Sequence, residues 1–301
     1  MNIALIESVA QAYLQGAAET DIARLEFFTG LYKLQQARAE TLNGAAGYEL
    51  PDRDQVESWY WSNTPVLAQA PLLVDASQFC DTLAMVADYL RDNAGFDDAA
   101  ASALGIYNWA GFASNADLAQ AGRDPSAFID TCLSHIDSFG VSPDLPANVF
   151  MMVPLFALRP HLQGAAEAIM GAVDTVEGRR THDNPVNCPV CGSPAAASLV
   201  GESAGTDGKG RLQYCSFCGT QWPYERIRCG KCGEMAPSKL HYFHVEGDPA
   251  HRLQNCDACG QYQRVVFQED LGALTPCMEV EDVVMAKLDR IALDPRFRQE
   301  T

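Results

Sequence analysis

The sequence predicts a fold of the α plus small β class: a helical domain, two small metal modules and a C-terminal helix. Three observations lead to this prediction. Apolar residues keep a helical spacing through the first 178 residues, four Cys-x-x-Cys-Gly units lie between Cys188 and Cys259, and a last apolar stripe begins at Val280. We divide the chain into a helical domain (1–178), a linker (179–187), a first module (188–228), a second module (229–270) and a C-terminal helix with its tail (271–301).

The helical domain is predicted from apolar residues that recur every three or four positions. Four helices are expected, over residues 20–43, 77–93, 124–140 and 160–176. Ser77 is the expected N-cap of the second helix, and Pro160 is expected to start the fourth because proline fits the first helical turn. The aromatic cluster at residues 59–61 is expected to be buried between these helices, with a partner-binding surface as the alternative.

The four Cys-x-x-Cys-Gly units form a tandem repeat. Each cysteine of the first two units recurs 41 positions later, and Arg211-Leu212-Gln213 recurs as Arg252-Leu253-Gln254. Two residues between cysteines let the chain turn and aim both sulfurs at one ion, and the following glycine can adopt a positive φ. The predicted metal ligands are Cys188, Cys191, Cys215, Cys218, Cys229, Cys232, Cys256 and Cys259.

The repeat predicts how these ligands pair. Each site is expected to be local to one module, so that the first four cysteines hold one ion and the last four hold another. An interleaved arrangement, in which the second unit faces the third, remains the alternative. Four thiolates suit either zinc or a single iron, as in rubredoxin-like and zinc-ribbon-like modules. Short antiparallel strands are expected between the units, pairing 197–200 with 211–214 and 240–245 with 252–255.

The residues outside the eight cysteines offer no further metal site and no catalytic site. His182, His241, His244 and His251 are not expected to be ligands, because eight cysteines already complete two sites. Cys80 and Cys132 lie on or beside apolar helical stripes and are expected in the core. The sequence shows neither a glycine-rich phosphate loop nor an arguable nucleophile. We therefore predict no catalytic residue and a protein that is not an enzyme.

The charge distribution bears on the partners. The whole chain has a formal charge of −18, and residues 1–187 alone carry nine Lys and Arg against twenty-four Asp and Glu. Residues 188–260 balance seven basic against seven acidic residues. Because nucleic-acid-binding zinc ribbons present a basic face, this balance argues against nucleic acid. The acidic helical domain suits a protein partner with basic segments, although solubility explains the acidity equally well.

The sequence also bears on localisation. The N-terminus lacks the pattern of a signal peptide, and the longest apolar run is half the roughly 20 residues that a membrane-spanning helix needs. We therefore expect a cytoplasmic protein without membrane insertion, where cysteines stay reduced and available to metal.

Several segments of the metal modules together resemble one family. They are Cys-Pro-Val-Cys-Gly-Ser-Pro from Cys188, Arg-Leu-Gln-Tyr-Cys-Ser-Phe-Cys from Arg211, Trp222, Arg-Ile-Arg-Cys-Gly-Lys-Cys from Arg226 and Lys-Leu-His-Tyr from Lys239. Over residues 188–267 the chain resembles the formate dehydrogenase accessory protein family, FdhE, whose Cys-x-x-Cys units fall where this chain has them.

The resemblance implies a cytoplasmic, non-enzymatic protein that is needed for the activity of respiratory formate dehydrogenases. It implies binding to the catalytic subunit before export, and two iron ions in rubredoxin-like sites, with zinc as the alternative metal. Two other functions stay open: a small electron-transfer iron protein and a nucleic-acid-binding zinc-ribbon protein. The sequence leaves a homo-oligomer open as well.

Overall fold

The computed structural model describes residues 1–15, 17–43, 47–173, 184–202 and 209–293. The helices are α1 Ile3–Leu14, α2 Glu19–Asn43, α3 Arg53–Trp61, α4 Val66–Gln69, α5 Ala76–Asn93, α6 Asp98–Ile106, α7 Trp109–Asn115, α8 Leu118–Arg123, α9 Pro125–Ser134, α10 Ala147–Ala172, α11 Met278–Val284 and α12 Ala286–Leu293. The strands are β1 Ala197–Glu202, β2 Lys209–Tyr214, β3 Gln221–Tyr224, β4 Leu240–His244, β5 His251–Cys256 and β6 Tyr262–Phe267. The predicted linker residues 179–183, the last predicted helical residues 174–176, most of the loop after β1 and the tail 294–301 lie outside the described residues.

Helix α10 lies at the centre of the helical part and packs on α2, α5 and α9. Its 26 residues include Pro154 and Pro160, so the prediction that Pro160 starts a helix is wrong. A proline cannot donate the usual hydrogen bond to the carbonyl four residues earlier. For Pro160 that carbonyl belongs to Phe156, and it accepts a 2.8 Å hydrogen bond from the side chain of Gln35 instead.

Three other helix boundaries differ from the sequence predictions. The N-cap of α5 is Asp75 rather than Ser77, and its carboxylate accepts a 2.9 Å hydrogen bond from the backbone N–H of Gln78. Helix α9 ends at Ser134, and a short 3-10 helix follows it before Gly140, which has a φ of +64°. The single predicted C-terminal helix is two helices, α11 and α12, which are separated at Met285.

The two modules share one sheet with the strand order β3-β2-β1-β6-β5-β4. Within each module the strands pair antiparallel, and both predicted strand pairs are present, β1 with β2 and β4 with β5. The sequence prediction missed β3 and β6, each of which follows the second cysteine unit of its module. The modules join through β1 and β6, which run parallel.

A buried polar network lies at the junction between the modules. Arg211 on β2 is 1% exposed and donates hydrogen bonds to Ser198 on β1, to Gln263 on β6 and to Gln254 on β5. Because a buried guanidinium is costly unless its donors are paired, this geometry holds the two modules in one relative position.

The hydrophobic cores cross the predicted domain boundaries. The large helical core continues into the first module through Val190, Trp222 and the four cysteines of that module. A second core brings α1 and α2 against α11. Of the predicted linker, Asn184 and Pro185 are described and buried. Within the described ranges no helix has the length and apolar character that crossing a membrane requires. The division into domains stays a prediction.

Candidate metal centres

All four cysteine units adopt the same backbone turn. In each, the glycine N–H donates to the carbonyl of the first cysteine, at 2.8 to 3.0 Å. The N–H of the first cysteine donates to the carbonyl of the residue two positions after the second cysteine, at 2.8 to 3.1 Å. The four glycines have φ values from +66° to +82°, a region that residues with a side chain rarely enter. The pattern Cys-x-x-Cys-Gly therefore specifies the turn locally.

The eight cysteines come together in the two predicted sets of four. Cys188, Cys191, Cys215 and Cys218 form the first site, and Cys229, Cys232, Cys256 and Cys259 form the second. In each set the four sulfurs lie within 4.8 Å of one another. The sulfurs therefore group within modules and do not interleave.

The sulfur spacing fits a tetrahedral ion. At the first site, the Cys188–Cys218 and Cys191–Cys215 sulfur distances are 3.5 and 3.6 Å. The corresponding distances at the second site are 3.9 and 3.8 Å. Four sulfurs arranged tetrahedrally about 2.3 Å from one ion are about 3.8 Å apart. Both sites could hold a zinc or an iron ion on this geometry.

Burial also disfavours negative charge on the sulfurs of the first site. Burial raises the pKa of the Cys188 and Cys191 thiols well above the ordinary value. Four buried thiolates would therefore not coexist without a positive charge among them. A divalent or trivalent ion bound by the four sulfurs would supply that charge, since coordination deprotonates a thiol.

The first site is closed by the helical part of the protein. Its four cysteines are no more than 1% exposed. The N–H groups of Val66 and Leu67, at the start of α4, donate 2.9 Å hydrogen bonds to the carbonyls of Pro189 and Val190, the two residues between the first cysteines. On the other side, the indole of Trp222 donates to the carbonyl of Pro185 at 2.8 Å. These contacts keep water away from the sulfurs.

Two hydroxyl groups lie against the sulfurs of the first site. The Oγ1 of Thr220 is 3.1 Å from the sulfur of Cys218, and the Oγ of Ser193 is 3.4 Å from that of Cys191. The equivalent positions of the second module are Glu234 and Gln261, which have no hydroxyl. These hydroxyls were not predicted from the sequence, although their shared position, two residues after the second cysteine, could have indicated them.

Arg159 of α10 is a further residue that the sequence did not indicate. It is 4% exposed and donates to the hydroxyl of Tyr214 and to the carboxylate of Glu279, both at 2.6 Å, and to the carbonyl of Ser216 at 3.3 Å. Ser216 lies inside the second cysteine unit. A guanidinium that is paired with the Glu279 carboxylate therefore lies beside the first site.

The second site is open to solvent on one side. Cys229 and Cys256 are buried, whereas Cys232 is exposed and Cys259 is half-buried. The backbone N–H of Lys231 lies 3.4 Å from the sulfur of Cys229. The same sequence pattern therefore gives one enclosed site and one accessible site.

The other candidate side chains lie outside both sulfur clusters. His241 contacts Asp257, His244 is exposed, and His251 contacts Asp248 and Glu281. His182 lies outside the described residues. Cys132 is buried in the helical core, as the sequence predicts. Cys80, which was also expected in the core, is only partly buried and packs at its margin. Cys277 is buried at the start of α11.

Fold and site together define a class: a helical protein that carries two tetracysteine centres on a single sheet. Comparison with known proteins identifies the relatives. Residues 187–226 match the family model described as the FdhE central domain. Protein FdhE of Escherichia coli O1:K1 is 34% identical over 114 residues, and so is Protein FdhE of Shigella boydii serotype 18. That alignment covers 38% of this chain and 33% of each relative.

The fold comparison covers nearly the whole chain. The crystal structure of the FdhE protein from Pseudomonas aeruginosa superposes with a TM-score of 0.58 over 97% of this chain and 91% of that one, at 23% sequence identity. The resemblance to the FdhE family predicted from the sequence is confirmed. The chain spans about a third of the length of the curated relatives that it matches by sequence.

Proposed function

We propose that this chain is a formate dehydrogenase accessory protein that holds two metal ions and is not itself an enzyme. The observation that carries the proposal is the pair of tetracysteine clusters set in a fold shared with an FdhE protein. The family resemblance implies that the protein is needed for formate dehydrogenase activity. The eight cysteines are the proposed ligands, four to each ion.

Iron is the proposed metal in both sites, with zinc as the alternative. A tetrathiolate iron supplies a one-electron couple, whereas zinc supplies structure only. The chain's own part is to hold the sulfurs and to stabilise their negative charge. The hydroxyls of Ser193 and Thr220 and the guanidinium of Arg159 are placed for that at the first site.

The proposed partner is the catalytic subunit of formate dehydrogenase, bound in the cytoplasm before export. The acidic helical part supports a partner with basic segments, because residues 1–187 carry a formal charge of −15. Nucleic acid is not a proposed partner, since the modules have no excess of basic residues.

Complementation and co-purification test this function. In a strain that lacks its own FdhE, the wild-type chain should restore formate dehydrogenase activity and co-purify with the catalytic subunit. Cys215→Ser or Cys256→Ser should lower both, whereas Cys80→Ser, outside both clusters, should leave them unchanged. Full rescue by both cluster variants would show that the metal sites are not needed for this function. Failure of the wild-type chain to bind the subunit would refute the proposal.

Electron transfer is a second candidate function, favoured by the exposure of Cys232 at the second site. The two functions differ in what zinc can do. If the metal only maintains the fold, zinc-loaded and iron-loaded proteins should activate formate dehydrogenase equally. If electron transfer is required, only the iron-loaded protein should do so, and the iron should be reduced and reoxidised at a rate that the partner can use.

A further inference from the structure

The sequence repeat is also a repeat in the sheet. The first module contributes β3-β2-β1 and the second contributes β6-β5-β4, in the same order and the same direction. The modules are therefore related by a translation along the sheet rather than by a twofold axis. One consequence is that β4 has the same place in the second module as β1 has in the first.

In the first module, the outer edge of β1 is occupied. Strand β6 pairs with it in parallel, so that Ser198 lies beside Val265 and Val200 lies beside Phe267. The equivalent edge of β4 is the end of the sheet, and within the described ranges no strand lies beyond it. The free edge of β4 is therefore equivalent to the edge of β1 on which β6 is paired.

The register identifies the equivalent residues. Ala197 pairs with Tyr214 on β2, and His241 pairs with Asn255, the residue 41 positions later, on β5. Ala197 therefore corresponds to His241. It follows that Ser198 and Val200 correspond to Tyr242 and His244.

The backbone of β4 offers hydrogen bonds at this edge. The N–H of Asp257 donates to the carbonyl of Lys239 at 3.0 Å, which makes these two residues a hydrogen-bonded pair. Hydrogen-bonded and non-hydrogen-bonded pairs alternate along an antiparallel ladder. The N–H and C=O groups of Leu240, Tyr242 and His244 therefore point away from β5, toward the free edge. His244 is exposed and Tyr242 is 38% exposed.

The opposite end of the sheet differs. Strand β3 is the equivalent of β6, and it carries Pro223 where β6 carries Arg264, 41 positions later. A proline has no N–H to give to a neighbouring strand and is a usual way to block a sheet edge. Addition of β3 from a second copy to β4 is disfavoured for this reason.

We propose that the free edge of β4 binds an extended segment of a partner protein, parallel to β4, in the register that β6 takes on β1. Its main-chain N–H and C=O groups would pair with those of Leu240, Tyr242 and His244. Its side chains would point alternately to the two faces of the sheet, as those of β6 do, and would include bulky apolar residues. Leu240 pairs with Cys256, so the bound segment would pass beside the accessible second site. This edge would exist whether or not the partner is a formate dehydrogenase, so the two proposals can fail separately.

A peptide that copies β6 tests the edge directly. The probe is a fluorescent peptide with the sequence of residues 260–267, titrated against the full metal-loaded chain and followed by anisotropy. Binding should slow hydrogen exchange at the amides of Leu240, Tyr242 and His244. His244→Pro removes one outward N–H and should weaken binding at least tenfold, whereas His244→Ala retains it and should bind within twofold of wild type.

A change in the peptide covers the case in which His244→Pro fails to fold. Two peptides carry N-methyl groups at alternate residues. In one, the methyl groups lie on the amides that face β4, and this peptide should not bind. In the other, they lie on the residues between, and this peptide should bind as the unmodified parent does. No binding by the parent peptide, or equal binding by both methylated peptides, would overturn the proposal. Self-association of the chain that is lost in His244→Pro would assign the edge to a second copy instead.

Discussion

The side-chain amide of Gln35 donates a 2.8 Å hydrogen bond to the carbonyl of Phe156, on the neighbouring helix α10. That carbonyl lies four residues before Pro160, which cannot donate to it. A buried glutamine on α2 thus replaces the one backbone bond that the proline removes. This contact allows α10 to continue and to carry Arg159 to the first metal site.

Gln35→Leu should therefore destabilise the protein, because it leaves the Phe156 carbonyl buried without a partner. The expected loss is about 1 to 3 kcal/mol in urea denaturation. Pro160→Ala restores an N–H within the helix, and in that background Gln35→Leu should cost much less. An equal cost in both backgrounds would show that the Gln35 contact does not replace the missing backbone bond.

Replacement of one ligand in each site should have unequal effects. Cys215→Ser and Cys256→Ser should each reduce the bound metal from two ions per chain to one, measured by elemental analysis. Cys215→Ser should cost more stability, because the first site is part of the hydrophobic core shared with the helices. Cys132→Ser, outside both sites, should retain two ions. Loss of both ions in Cys256→Ser would instead show that the sites depend on each other.

The two sites should also differ in reactivity. Cys232 is exposed and Cys259 is half-buried, whereas the four cysteines of the first site are enclosed. Iodoacetamide and a chelator together should modify Cys232 and Cys259 in the native protein well before Cys188 or Cys191, as followed by mass spectrometry. Protein unfolded in guanidinium is the control, in which all cysteines should react. Loss of both ions at the same time would contradict this difference in solvent access between the two sites.

The pH dependence of stability should carry a contribution from His251. Burial alone would lower the pKa of His251, but its hydrogen bonds with Asp248 and Glu281 raise that pKa to about 9. A raised pKa in the folded state stabilises the protein below the unfolded value, near 6.5, and this contribution is lost as the pH rises through 9. His251 should therefore contribute up to about 3 kcal/mol at pH 6 and little at pH 10.

Comparison of His251→Gln with wild type isolates this contribution, since other groups titrate in both proteins. The difference in the free energy of unfolding should shrink between pH 6.5 and 10. The exposed residue His135 provides the control variant, His135→Gln, which reports the effect of exchanging a histidine for a glutamine as such. A His251→Gln difference that is constant over this pH range would show that the pKa of His251 is not raised in the folded protein.

The features that could be predicted from the sequence are local ones. The Cys-x-x-Cys-Gly units specify their own turns, because the positive φ of the glycine and the short hydrogen bonds lie within six residues. The 41-residue repeat predicted the grouping of the eight cysteines, and the residue types between the cysteine units predicted one strand pair in each module. The helical stripes predicted α2 well, but not the continuation of α10 through Pro160.

Identical local patterns acquire different surroundings in the folded protein. Arg211 and Arg252 occupy the same place in the repeat, yet Arg211 is buried at the junction of the modules, whereas Arg252 lies at the margin over the ring of Phe267. The two cysteine clusters differ in the same way, one enclosed by α4 and Trp222 and the other open. The cause is that repetition by translation gives the two copies different neighbours. The first site packs into the helical core and the second site does not, so burial depends on residues distant in sequence.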